Sequence, residues 1–397
     1  MRDSFAKSGS TAAILAVLLA AAPAAAQTAF QSCLASIRGQ ILSQGVSAAT
    51  WESATRGLEP NDAADFLDKQ PEFRTPVWDY MTGLVDDERI AEGKAKLREH
   101  SSALAAAEAR FGVDRATIVA VWGVESDYGK NFGKRPLVQS LATLSCAGRR
   151  QAYFRTEFAA VLKILQNGDI KPSSLVGSWA GAFGHTQFMP SSFLRLAVDM
   201  DGDGRRDIVD SIPDALGSTA NHLKKSGWIS GLPWGFEVKL PAGYSGGSGR
   251  KNKHPMSYWS AQGVARVDGR GLGEGAAGLL LPAGVDGPAF LVTRNFDAIY
   301  GYNASEAYGL AIAHLSDRLR GGGPIRTPWP TDDMGLSRAE KRELQTLLTR
   351  RGYDVGTPDG AIGDKTRAAI SDFQGRAGLP RDGRPGTKVL EALRNGR

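Results

Sequence analysis

From Phe30 to about Trp228, apolar positions recur every three to four residues, in segments such as Val77 to Leu84, Ile90 to Phe111 and Glu157 to Gln166. This is the period of helices that bury one face. The pattern changes from Trp228 to about Thr293, where Gly and Pro are frequent. Short apolar runs there, Gly278 to Pro282 and Ala289 to Thr293, are bounded by turn residues and predict a small β-containing insertion, with a flexible loop over Tyr244 to Lys253. The helical period resumes from Ser305 to Leu319, and Gly321-Gly322-Gly323-Pro324, Pro328 and Pro330 then mark a linker. The fold class is mainly α, of α+β type.

Beyond the linker lies a module of about 60 residues, too small to bury a large core. Ser337 and Glu340 form a capping box ahead of Leu344, Leu347 and Leu348. Two similar turns, Asp359-Gly360-Ala361-Ile362-Gly363 and Asp382-Gly383-Arg384-Pro385-Gly386, each precede a short helical run, Ala368 to Phe373 and Val389 to Leu393. Three small helices result. With no His, no Cys and no carboxylate on an apolar face, the module reads as a binding unit. The division is 1–26, 27–325 (with the insertion at about 228–293), 326–333 as linker and 334–397 as module.

Residues 1–26 are set apart by Arg2 and Lys7 ahead of an apolar stretch from Thr11, closing on Ala24-Ala25-Ala26. That is the form of a cleavable secretory signal, and no later stretch has the roughly 20 apolar residues a membrane span needs. Cys33 lacks the small-residue context of a lipidation site, so the expected location is periplasmic, without a lipid anchor. The chain of 397 residues carries 48 Lys and Arg against 42 Asp and Glu, a net +6 that falls to +5 without the signal. Concentrated basic runs are lacking, so a polyanionic surface or polymer suits this charge better than nucleic acid. Cys33 and Cys146 are the only cysteines, and in an oxidising compartment such a pair is most simply a disulfide.

Candidate chemistry begins at Asp114, which can cap a helix running to Glu125. At about 100° per residue, Ile118, Val121, Trp122, Glu125 and Tyr128 share one face. A carboxyl held among Trp and aliphatic side chains loses hydration in its charged form, so it can remain protonated near neutrality as a general acid. Glycoside cleavage usually employs two carboxylates. Asp127 points about 200° round the helix from Glu125 and cannot oppose it, which directs attention to a mechanism with one carboxylate. Gly177 to Ser192 sets glycines and small residues among aromatics, a composition that admits a ligand close to the backbone. Ser178 and Gln187 could there hydrogen-bond sugar hydroxyls or an acetamido group. Asp199, Asp201, Asp203, Gly204 at the turn, Asp207 and Asp210 follow calcium-loop spacing. Asp210 replaces the usual closing Glu and is shorter, so either it or Asp214 closes the loop. The five histidines show no zinc spacing, and Gly243-Tyr244-Ser245-Gly246-Gly247 lies in a Gly/Ser-rich loop and not at a nucleophile elbow.

Together, Val121 to Gly129, the Gly177 to Ser192 segment, the Asp-rich loop, and Tyr302-Asn303 with Tyr308 resemble the B-type lytic murein transglycosylases, whose catalytic domain has a lysozyme-like core. The resemblance runs from about Phe30 to Ile325, and Leu336 to Leu393 resembles the three-helix peptidoglycan-binding domain. It implies that Glu125 is a single catalytic acid/base acting between N-acetylmuramic acid and N-acetylglucosamine and leaving 1,6-anhydro ends. It implies that Ser178, Gln187, Tyr302 and Tyr308 hold the glycan. It also implies a structural calcium at Asp199, Asp201, Asp203, Arg205 and Asp214, the last displaced by one residue from the family's pattern. No organic cofactor is expected. Peptidoglycan strands are the expected partner, and cell-wall synthesis enzymes are the class of protein partner that location would bring near. The competing readings are a hydrolytic muramidase and a noncatalytic wall-binding protein.

Overall fold

The computed structural model describes residues 18–67 and 75–396. Residues 1–17, most of the predicted signal segment, lie outside the described residues. The described residues form two compact units, one within 18–67, 132–183 and 187–195, the other within 75–131, 184–186 and 196–396.

The first unit is helical, built on Leu18–Ser43, Ala48–Thr55, Leu137–Cys146 and Gln151–Asn167. Ile37, Ile41, Trp51, Leu141, Phe154 and Phe158 are buried in it, and the Trp51 and Phe158 rings meet edge to face at 5.9 Å. The expected disulfide is present: Cys33 and Cys146 are bonded, with 5.8 Å between Cα atoms. A two-residue strand pair, Arg135–Pro136 with Val176–Gly177, lies beside the Leu137 helix. Glu157 is 2% exposed, and its carboxylate accepts from the Ser191 backbone N–H and hydroxyl at 2.9 and 2.7 Å. A carboxylate at a helix start satisfies donors the helix itself leaves open.

The second unit centres on Arg115–Ser126, which buries Ile118, Val121 and Trp122 in one cluster with Leu310, Ile312 and Leu315 of Glu306–Leu319. Val77–Leu84 forms as the periodicity predicts. The single amphipathic stretch expected from Ile90 to Phe111 is instead two helices, Asp87–Glu99 and Ser101–Phe111, broken at His100. His100 has φ −107° and ψ 27°, and its ring lies edge to face on Trp122 at 5.4 Å. An apolar stripe records which face is buried and not whether the axis bends, so this break was invisible to periodicity.

The β-containing insertion is a five-stranded antiparallel sheet in the order His254–Pro255, Ala276–Leu280, Ala289–Val292, Gly235–Lys239, Ala265–Arg266. The two predicted apolar runs supply two of its three inner strands. They pair Leu279 with Leu291, and every residue of Ala289–Val292 is buried. The linker packs: Glu237 accepts from the backbone N–H groups of Arg326 and Thr327 at 2.8 and 2.7 Å, and Trp329 lies 6.5 Å from Trp78.

The C-terminal module contains Arg338–Arg350, Asp364–Arg376 and Thr387–Arg394 around Leu344, Leu348, Ile370, Phe373 and Leu390, and the capping box forms. Its two similar turns share one construction. Buried Gln345 accepts from Gly360 N–H at 2.7 Å, and buried Gln374 accepts from Gly383 N–H at 2.9 Å. Both glycines have positive φ, +86° and +68°, where a side chain is strained.

Candidate active site

Asp114 caps the Arg115–Ser126 helix, accepting from Thr117 N–H at 3.1 Å, so the predicted face forms and Glu125 arrives in its last turn. The helix ends at once, because Asp127 and Tyr128 both adopt left-handed φ, 51° and 58°. Side chains hold this end. Tyr128 donates to the Arg89 carbonyl at 2.8 Å, and Ser126 donates to the His185 carbonyl at 2.6 Å. Gly123 belongs to the same design, since a Cβ there would stand 2.6 Å from the Tyr128 ring.

Glu125 is partly buried, sheltered enough to be desolvated yet open enough to meet a substrate. Loss of hydration pushes its carboxyl up to about 8, with Tyr308 acting in the opposite direction through a hydrogen bond. The Tyr308 hydroxyl donates to Glu125 Oε1. The carbonyl oxygen of a protonated carboxyl is its better acceptor, so the bond from Tyr308 to Oε1 favours the acidic proton on Oε2. Lys130, a cation only five residues after Glu125, pairs with Glu92.

Ser305 caps the helix that carries Tyr308, and Tyr302 lies against Tyr308 with ring centroids 6.4 Å apart and planes 24° from parallel. Tyr302 donates to the Thr186 carbonyl at 2.8 Å. Burial raises both phenols well above their usual range, with the Glu125 charge adding to this, so both are neutral donors at any working pH. Glu125, Tyr302 and Tyr308 are therefore one constellation. His185 and Thr186 were not singled out from the sequence, yet they brace it. Trp122 Nε1 donates to His185 Nδ1 at 3.0 Å, and burial pushes His185 down to about 4, keeping it neutral and able to accept. The signal that could have found them was their place between Gly184 and Gln187 in the Gly-rich segment.

Ser178 and Gln187 belong to the first unit. Ser178 Oγ accepts from Ala182 N–H at 3.0 Å within a tight turn, and Gln187, with φ 50°, donates to the Phe132 carbonyl at 3.4 Å.

In the acidic loop, Asp199, Asp201 and Asp203 present carboxylate oxygens within 4.8 Å of one another. Asp207 is 1% exposed and its Oδ2 has no hydrogen-bond partner. Asp214 is fully buried; it accepts from Met200 and Asp207 N–H at 2.7 Å each and from Asp201 N–H at 3.3 Å, tying the loop ends together. Asp210 is exposed, and the Arg205 side chain turns onto Asp203 at 2.9 Å.

Tyr308→Phe should lower turnover, because the carboxyl loses its orienting donor. It should also move the alkaline limb of the pH profile upward, since the removed bond favours the charged form. A pH–rate profile checks the sign, and a downward shift would contradict this geometry.

A carboxyl raised by burial on a core helix and held by a buried phenol is the arrangement of a general acid in a glycan-cleaving site. The chain belongs to the transglycosylase SLT domain family, whose model matches residues 29–317, while residues 337–393 match a peptidoglycan-binding domain. It is 33% identical over 287 residues to the membrane-bound lytic murein transglycosylase B of Escherichia coli K12, covering 70% of this chain and 76% of that one. It is also similar to SltB3 from Pseudomonas aeruginosa, solved with NAG-anhNAM-pentapeptide, at 46% identity and a TM-score of 0.74 over 92% of this chain and 99% of that one. Slt35 from Escherichia coli, solved with calcium, matches at 29% identity and a TM-score of 0.63 over 74% of this chain and 92% of that one. The protein is a peptidoglycan lytic transglycosylase with a lysozyme-like catalytic fold. No helix among the described residues is long and apolar enough to cross a membrane.

Proposed function

We propose that Glu125 alone performs both proton transfers of the cleavage. Protonated on Oε2, it gives its proton to the glycosidic oxygen between N-acetylmuramic acid and N-acetylglucosamine as the C1–O bond breaks. The resulting carboxylate then takes the proton of the muramyl 6-hydroxyl as that oxygen bonds to C1. The products are a free 4-hydroxyl and a 1,6-anhydro end, with no water consumed. The observation that supports this reading is the raised Glu125 carboxyl held by Tyr308. An intramolecular hydroxyl needs no second carboxylate to activate water, and its effective molarity replaces much of what one would supply. Tyr302 and Tyr308 orient the acid, while Ser178 and Gln187 are the candidate contacts for sugar hydroxyls and acetamido groups. Mass spectrometry of digested murein tests the chemistry. Anhydro-muropeptides are expected, and products one water heavier with reducing ends would instead support a muramidase.

The signal segment and the Cys33–Cys146 bond support a periplasmic location. The C-terminal module is suited to hold the enzyme on the wall. The clustered carboxylates of Asp199, Asp201 and Asp203, with the unpaired Asp207 oxygen, fit a hard divalent cation, with the Arg205 carbonyl and Asp214 completing the ligand set. Calcium there would neutralise the cluster and brace the loop, and no chemical step passes through it. Chelation should lower the melting temperature and calcium should restore it. An unchanged melting temperature, or equal chelator sensitivity in Asp201→Asn, would count against the site.

A further inference from the structure

The C-terminal module presents a basic face to an acidic face of the catalytic domain. Arg342 pairs with Glu88, and Arg384 Nε and Nη2 bind both oxygens of Asp79 at 2.6 Å. A third contact joins the same two faces. Arg338 Nε and Nη2 bind both oxygens of Asp86, at 2.8 and 3.0 Å, while Nη1 binds Asp127 Oδ1 at 2.6 Å. Asp86 is also the cap of the Asp87–Glu99 helix, accepting from Arg89 N–H at 2.8 Å. Asp127 stands two residues after Glu125 and is the left-handed residue that ends its helix. Its other cations are Arg89 at 3.3 Å and Lys130 at 4.0 Å.

The left-handed region is sparsely used by residues with a side chain, and a residue kept there is one whose surroundings over-determine it. Asp127 is held by two guanidinium groups, one from its own domain and one from the module. A planar guanidinium bridging two carboxylates fixes direction as well as charge. The backbone so fixed is the stretch that aims Glu125 at Tyr308.

We propose that Arg338 is a positioning residue for the transglycosylase reaction, acting through Asp127 on the helix end that orients Glu125, so that the wall-binding module completes the catalytic geometry as well as holding the wall. The inference rests on the assignment of Glu125 as the acid/base.

The test uses the full-length protein on a short soluble glycan strand, with anhydro-muropeptide release as the assay. Arg338→Gln should lower kcat roughly tenfold with KM within about twofold, because misaim and not lost binding is the defect. Arg338→Lys should recover only part of the loss, since an ammonium cannot bridge both carboxylates. Asp127→Asn should show a similar loss with the module chain intact, and the double variant should be no worse than either single one. That second route keeps the idea testable if Arg338→Gln unfolds, which circular dichroism would reveal. Arg342→Gln, which removes another pair of the same docking face without touching Asp127, should keep full kcat. The proposal is overturned if folded Arg338→Gln retains wild-type kcat, if its loss lies in KM alone, or if Arg342→Gln loses as much. Glu125→Gln is assayed alongside: were it active, the acid/base assignment would fail, whereas a dead Glu125→Gln beside a fully active Arg338→Gln defeats only the coupling.

Discussion

Glu125→Gln is expected to reduce release of anhydro-muropeptides by about 10²–10⁴-fold, the range that general acid–base catalysis contributes. The amide keeps the shape and can still accept from Tyr308, so binding of soluble glycan should persist. Stability should move in a direction set by the carboxyl's environment. Its folded pKa of about 8 lies above the ordinary 4.5, so the folded state holds the extra proton between those values. Stability contributed by this group therefore falls as pH rises through that window, and the Gln variant is free of the loss. The wild type should thus lose melting temperature from about pH 4.5 to about 8 and activity as pH rises through about 8, while Glu125→Gln should melt no lower than wild type at alkaline pH. A variant that retained full lytic activity would remove Glu125 from the mechanism and favour a noncatalytic wall-binding role. One that melted lower at alkaline pH would contradict the burial argument.

The second large effect concerns stability. The Cys33–Cys146 bond joins two cysteines of the first unit and closes a loop of 113 residues, which includes residues 75–131 of the second. In the chain-entropy account its removal costs about 4 kcal/mol, because the reduced unfolded chain regains the freedom the cross-link denied it. Cys33→Ser with Cys146→Ser should lower the unfolding free energy of the first unit by that order, and its denaturant midpoint with it. The Glu125 environment lies in the second unit and should keep its pH profile in conditions where the protein remains folded. A midpoint unchanged on reduction would show that the unfolded chain gains little from losing the bond.

Local rules were legible where they act within a few residues. Asp114 and the capping box at Ser337 and Glu340 appear as helix starts because a cap needs only its own next turn. The Asp-Gly repeats at 359 and 382 were visible as a near repeat, although the Gln345 and Gln374 clamps that explain them became evident only with the fold. Glu125 stood out because helical spacing put a carboxyl on an apolar stripe. Tyr302 and Tyr308 entered through family resemblance, since nothing local marks a tyrosine nearly two hundred positions away as a partner of that carboxyl. His185 and Thr186 were passed over because a backbone carbonyl acting as an acceptor leaves no mark on side-chain pattern. The bend at His100 escaped because a stripe of apolar residues is continuous across it.

The chain's own order of residues determined the helical character, the small sheet, the separate module, the cysteine pair, the acidic loop and the candidate acid, all of which follow from period, spacing or residue type. Tertiary structure alone decided that Tyr308 and not Lys130 meets Glu125, that Asp127 serves as an anchor for Arg338, and that the linker packs. The physical reason is range. Helix period and capping are short-range preferences written in neighbouring residues, whereas a hydrogen bond between residues 125 and 308, or an ion pair between 127 and 338, exists only after burial has brought distant segments together.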